Sequence, residues 1–177
     1  MGTNPLIQLA LQPVLIFGVV FHFVMGFVLE IKNKKARQIS YAKNNGAANS
    51  TWISRNMIYS GLVILAFLVL HFIDFWFPEM KVKYIEGDMT GMIAGTQEFR
   101  YFDELQHKFL EPWRVGAYVL AFVFLALHLL HGFTSAFQSM GSTSGRKKAL
   151  QTFGKIYAYA IPLGFIVIAV WHHFNHL

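Results

Sequence analysis

Four apolar runs decide what this chain can become. They lie at about 9–31, 57–77, 113–137 and 157–174, and each matches the ~20 residues an α-helix needs to cross a ~30 Å hydrocarbon layer. Inside lipid every backbone N–H and C=O must be bonded within its own segment, so runs of this length read as helices. The expected fold is all-α: a polytopic transmembrane helical bundle, one domain over residues 1–177. Composition agrees, because only 14% of residues are charged against about 25% in soluble domains. The first run is not a signal peptide: nothing basic precedes it, no small-residue cleavage site follows, and a basic loop does.

The net charge of +6 is a matter of position. The first connecting loop holds Lys32, Lys34, Lys35, Arg37, Lys43 and Arg55 and no acid. The last holds Arg146, Lys147, Lys148 and Lys155 and no acid. The middle loop is mixed, with Glu79, Glu86, Asp88, Glu98, Asp103, Glu104 and Glu111 among its charges. Lys and Arg collect in cytoplasmic loops, so loops 32–55 and 139–155 are expected inside, with both chain ends and the acidic loop outside. This basic charge is a topology signal and a docking face for a partner, not a nucleic-acid surface.

Histidines supply the candidate chemistry. His22, His71, His128 and His131 all fall inside the apolar runs, where polar side chains are costly and functional by default. Two imidazoles on facing helices can hold a six-coordinate b-type haem. Any one of them could instead be bonded to a nearby carbonyl, but three runs each carry a histidine. The chain has no cysteine, which removes thiolate ligation, c-type attachment and Cys-bound iron–sulfur clusters.

Depth suggests the pairing. His22 lies ten residues before Lys32 and His128 ten before Gln138, each roughly 15 Å from the cytoplasmic edge. His71 lies sixteen residues after Arg55, roughly 24 Å from that edge and so about 9 Å further out. Either His71 is not a ligand or its partner lies on a further span. Gly26 and Gly132 each follow a histidine by four residues; they would let a flat macrocycle approach, or let two helices pack closely. His131, three residues after His128, is a rival ligand or a propionate partner. Trp52, Ser54, Arg55 and Asn56, with Ser135 and Gln138, stand at the same edge as propionate partners; Arg55 is equally a snorkelling anchor and Trp52 a belt residue. Trp76 reads as belt. Asp74 reads as a solvated interfacial carboxylate, with proton transfer as its functional alternative. His172, His173 and His176 read as an interfacial tail, with metal binding as the alternative. His107 receives no role.

The run from His128 and His131 through Gly132, Ser135 and Gln138 to Gly141 resembles the signature of the cytochrome b membrane subunit of bacterial succinate dehydrogenases and fumarate reductases. The segment Lys32–Arg37 after His22 and Gly26, the run Ser54–Met57, and His71 followed by Phe75 and Trp76 are similar too. The resemblance covers nearly the whole chain. It implies five spans in the bacterial inner membrane, one or two b-type haems, and a flavoprotein and an iron–sulfur subunit docked on the cytoplasmic face. Electrons from succinate would pass through those partners and haem to a quinone, by resemblance menaquinone, with no dicarboxylate site on this chain. It implies that His22 and His128 ligate an inner haem, and that His71 ligates an outer haem with a histidine from a first span. Together with an opening, Met1 to Pro5, that reads like mid-loop, it leads us to expect a further N-terminal helix, encoded by roughly 35–50 residues upstream of Met1. Some dihaem relatives carry Glu two residues before the third-span histidine; here that position is Ala126, so a pathway using that carboxylate is not expected. The alternatives are a non-redox transporter or structural membrane protein, and the anchor of another b-haem quinol oxidoreductase.

Overall fold

The computed structural model describes residues 4–36, 55–93, 96–141 and 144–175. Among them the chain is helical: α1 (Gln12–Ala36), α2 (Met57–His71), α3 (Phe77–Tyr84), α4 (Arg100–Phe109), α5 (Pro112–Ser139) and α6 (Ser144–Phe174). One isolated antiparallel bridge, Met92 to Phe99, is the described extended pairing. Four helices are long and apolar enough to cross a membrane, at Ile7–Ala36, Met57–Tyr84, Pro112–Ser139 and Arg146–Phe174. The chain is an all-α, multi-pass membrane protein.

Two π-helical turns, Ile7–Leu11 and Phe72–Trp76, lead into α1 and α3. Each stands just before a proline. Gln12 N–H bonds the Ile7 carbonyl, five residues back, and Pro13 follows; Pro78 sits in the first turn of α3. Proline has no N–H for the carbonyl four residues back and its ring crowds that carbonyl. Widening the preceding turn by one residue relieves the clash without ending the helix.

The helices outrun their apolar cores. α1 reaches Ala36, five residues past Ile31, with Glu30 and Lys34 paired at 3.1 Å. α6 starts at Ser144, so most of the expected 139–155 loop is helix and the basic group Arg146–Lys148 stands on its first turns. Hydropathy marks the part of a helix that lipid tolerates, whereas Lys, Arg and Glu are good helix formers and carry the coil on into the headgroup layer.

The structure divides into two compact units. The first comprises residues 1–50 and 76–101. In it α1 buries none of its described residues. After α3, Glu79 accepts from Lys83 at 2.6 Å, from Arg100 and from the Tyr101 hydroxyl at 3.0 Å. Lys83 is 1% exposed. Burial pushes the Tyr101 phenol above its usual pKa, and its bond to Glu79 adds to the rise. Gly91 takes φ +68°, and a Cβ there would collide with the Tyr101 hydroxyl. Two hydrogen bonds from Thr90 hold the Asp88 carboxyl below its usual range.

The second unit comprises residues 51–75 and 102–177. Here α5 is central and packs against both α2 and α6. Its buried stripe, Val115, Tyr118, Ala121 and Phe122, follows the three-and-four spacing of one helix face. Phe109, Ala169, Phe67, Phe75 and Ile166 close on that stripe. Phe122 stacks on Phe165 with ring centroids 5.2 Å apart, and Phe133 meets Tyr157 edge-on at 5.4 Å. At Gly154 an added Cβ would lie 2.9 Å from Phe133 Cβ, the close backbone approach that small residues permit between membrane helices.

Candidate functional site

The antiparallel register of α2 and α5 sets the depth of each histidine in the second unit. Ser60 faces His128, Phe67 meets Phe122 with centroids 5.2 Å apart, and His71 meets Tyr118 at 6.5 Å. His71 comes eleven residues after Ser60, so the two imidazoles are about 16 Å apart along the helix pair. That exceeds the 9 Å expected from loop charges. Ser60 is five residues into its helix from Arg55, yet it is level with His128, ten residues from Gln138. The two residues taken as a common edge are about 7 Å out of level. One iron cannot bind both histidines.

His71 ends α2 at the start of the π turn. Four aromatic residues surround its ring, with centroids 5.8 Å to Phe67, 5.3 Å to Phe75, 6.4 Å to Phe72 and 6.5 Å to Tyr118. Its Nδ1 is buried and makes no hydrogen bond among the described residues. A buried imidazole nitrogen left unbonded is costly; Asp74 Oδ1 and Arg114 Nε are the other buried polar atoms of this unit without a hydrogen bond among the described residues.

One turn on, Asp74 is 3% exposed, which corrects its reading as a solvated carboxylate. The π turn rotates it onto the inner face, where Tyr118 donates to Oδ2 at 3.1 Å. Arg114 Nε lies 3.3 Å from Oδ2 and Lys108 Nζ 3.8 Å from Oδ1. Three side chains from α4 and α5 thus converge on one carboxylate of the span before them. Sequence reasoning missed Tyr118, Arg114 and Lys108, because only packing joins residues more than thirty positions apart.

His128 lies on α5 with Nδ1 3.0 Å from Ser60 Oγ, and Ser60 Oγ is 2.8 Å from the Met57 carbonyl. Ser60 is buried and was not singled out from sequence. Gly61 beside it leaves a Cβ-sized gap 3.6 Å from the imidazole Cε1. His131, one turn on, has Nε2 3.1 Å from Ser135 Oγ, so these two candidates satisfy each other. No family model, curated protein or solved structure matches this chain. What the site can do therefore rests on its own geometry and on the sequence.

The remaining candidates are dispersed. His22 is an exposed residue of α1, in the first unit, and a Cβ on Gly26 would meet nothing within 4 Å. On Gly132 it would meet only Met57 Cε, at 3.9 Å. Gln138 is exposed on the last turn of α5, and Arg55 is exposed just before α2. Trp52, Ser54 and His176 lie outside the described residues. Trp76 is half-buried. His172 and His173 are not a tail: they form the last turn of α6, His172 edge-on to Phe102 at 5.6 Å and His173 Nδ1 donating to the Phe109 carbonyl at 2.8 Å. No group of three or more His, Asp or Glu among the described residues is placed to hold a metal ion. His107 is exposed on α4.

Proposed function

We propose that this chain is the haem-carrying membrane anchor of a bacterial succinate:quinone oxidoreductase. One observation carries the reading. His71 is a half-buried imidazole in a membrane-spanning helix, bordered by aromatic rings, and its buried Nδ1 has no hydrogen bond among the described residues. An imidazole in that setting would suit an axial metal bond, and the apolar surroundings suit a macrocycle. The orphaned nitrogen and the imidazole donor set fit b-type haem.

His71 and His128 stand at two depths, which supports two haem positions rather than one. His128 would hold the inner one, with His22 as the partner that the resemblance implies. His71 would hold the outer one. His131 is committed to Ser135, which favours His128 as the ligand; Trp52, Ser54, Arg55, Ser135 and Gln138 are the propionate partners that the sequence offers. Bound there, haem b would carry single electrons from an iron–sulfur partner to a membrane quinone, by resemblance menaquinone. The basic residues of loops 32–55 and 139–155 form the cytoplasmic face on which the iron–sulfur and flavoprotein subunits dock. This chain contributes axial ligands, apolar packing and lipid contact, and the cofactors carry the redox chemistry.

Dithionite-reduced minus oxidised spectra of membranes containing the chain test the reading. A b-type spectrum, part of which is also reduced by succinate, is expected. Absence of haem would leave a non-redox membrane protein; haem without succinate-dependent reduction would leave an anchor for another quinol oxidoreductase. In His71→Ala the outer haem is expected to be lost while the other remains.

A further inference from the structure

Ser60 sits in α2, is 6% exposed, and has one hydroxyl hydrogen for two neighbours. Its Oγ is 2.8 Å from the Met57 carbonyl and 3.0 Å from His128 Nδ1. The shorter contact is to the Met57 carbonyl, which can only accept, and we assign the hydroxyl hydrogen to it, the local bond that helical serines make. The contact with the imidazole is then a hydrogen bond only if His128 Nδ1 carries the hydrogen and Ser60 Oγ accepts it. In neutral imidazole that puts the lone pair on Nε2. The carbonyl polarises the hydroxyl in the same direction, making Oγ a better acceptor.

We infer that Ser60 is a positioning residue for His128: it selects the tautomer with its lone pair on Nε2, fixes the ring plane, and strengthens Nε2 as a donor to iron. The inference rests on the proposed haem role of His128 and adds to it a residue on the neighbouring span. Histidine ligands commonly give their other N–H to an acceptor, which raises their basicity. Gly61 borders the same ring: a Cβ there would stand in ordinary van der Waals contact with His128 Cε1, at 3.6 Å. The relay Met57 carbonyl, Ser60 hydroxyl, His128 imidazole thereby ties the electronic character of a ligand on α5 to the backbone of α2.

The test is a redox titration of the assembled complex in its membranes, with low-temperature paramagnetic resonance of the oxidised haem. A more basic ligand favours ferric iron, so loss of the Ser60 bond raises the midpoint potential. In Ser60→Ala the haem that His128→Ala eliminates should remain, with an upward shift in potential and altered g-values, while Ser60→Thr, which keeps the hydroxyl, stays near the wild type. Should Ser60→Ala fail to assemble, Ser60→Cys, isosteric but a weaker acceptor, is read instead and should shift the same way. An unchanged potential and unchanged g-values in Ser60→Ala, or in Ser60→Cys where it is read instead, overturn the inference, as does an equal shift in Ser60→Ala and Ser60→Thr. Wild-type membranes without b-type haem would overturn the proposed function itself, an outcome distinct from haem that ignores Ser60.

Discussion

The Tyr118 hydroxyl donates to Asp74 Oδ2 at 3.1 Å, joining the π turn after α2 to the first half of α5. Both residues are buried, and Arg114 and Lys108 bring positive charge to the same carboxylate. The bond lies one turn from His71, whose ring also meets Tyr118. A single aromatic residue therefore borders both the unbonded imidazole and the ion-paired carboxylate.

Asp74→Ala should destabilise the protein by about 1–3 kcal/mol, because it leaves the buried Tyr118 hydroxyl without its acceptor and removes the carboxylate that Arg114 and Lys108 approach. Asp74→Asn keeps an acceptor for Tyr118 and should lose less. Thermal unfolding in detergent, followed by circular dichroism, reads the difference. Wild-type unfolding of Asp74→Ala would mean that the carboxylate does not hold the α4–α5 corner to α2.

The two histidines of α5 should separate cleanly. His128→Ala is expected to abolish one haem, whereas His131→Ala should keep it, because His131 is satisfied locally by Ser135. Pyridine haemochrome content of purified protein gives the answer. The reverse pattern would transfer the ligand role to His131.

Gly154→Leu should force α5 and α6 apart. Even the Cβ of an alanine would lie 2.9 Å from Phe133 Cβ and 3.1 Å from the Phe137 ring, and overpacking of this kind costs about 1–3 kcal/mol. A fall in melting temperature, larger for leucine than for alanine, is the expected result. An unshifted melting curve for both variants would show that the helices part there without strain.

Absence of cysteine from the chain makes topology easy to probe. A cysteine replacing Glu98 should react with a membrane-impermeant thiol reagent added from outside, and one replacing Lys43 should not. Labelling at 43 but not at 98 would invert the orientation drawn from the loop charges.

Pro78 and Asp74 show why the candidate site was only partly legible. Sequence placed Asp74 near the outer end of the second span and read it as solvated. A proline calls for a local adjustment of its helix, but nothing local says whether the helix will end, kink or widen by one residue. It widens, and the extra residue rotates Asp74 inward. Ser60 was equally silent in sequence, since its significance comes from an imidazole on another helix.

By itself the sequence determined that the chain is helical, where the four helices long and apolar enough to cross a membrane lie among the described residues, and that His71 lies at a different depth from His128. These follow from near-neighbour physics: backbone bonds must close within each segment in lipid, and a helix rises a constant 1.5 Å per residue. Only the tertiary structure decided the 16 Å offset between those histidines, the buried cluster around Asp74, the pairing of Ser60 with His128 and the contact of α5 with α6 at Gly154. Each depends on which faces of two helices meet and in what register. That choice is set by side-chain packing between residues distant in the chain, and a pattern of hydropathy along one helix does not contain it.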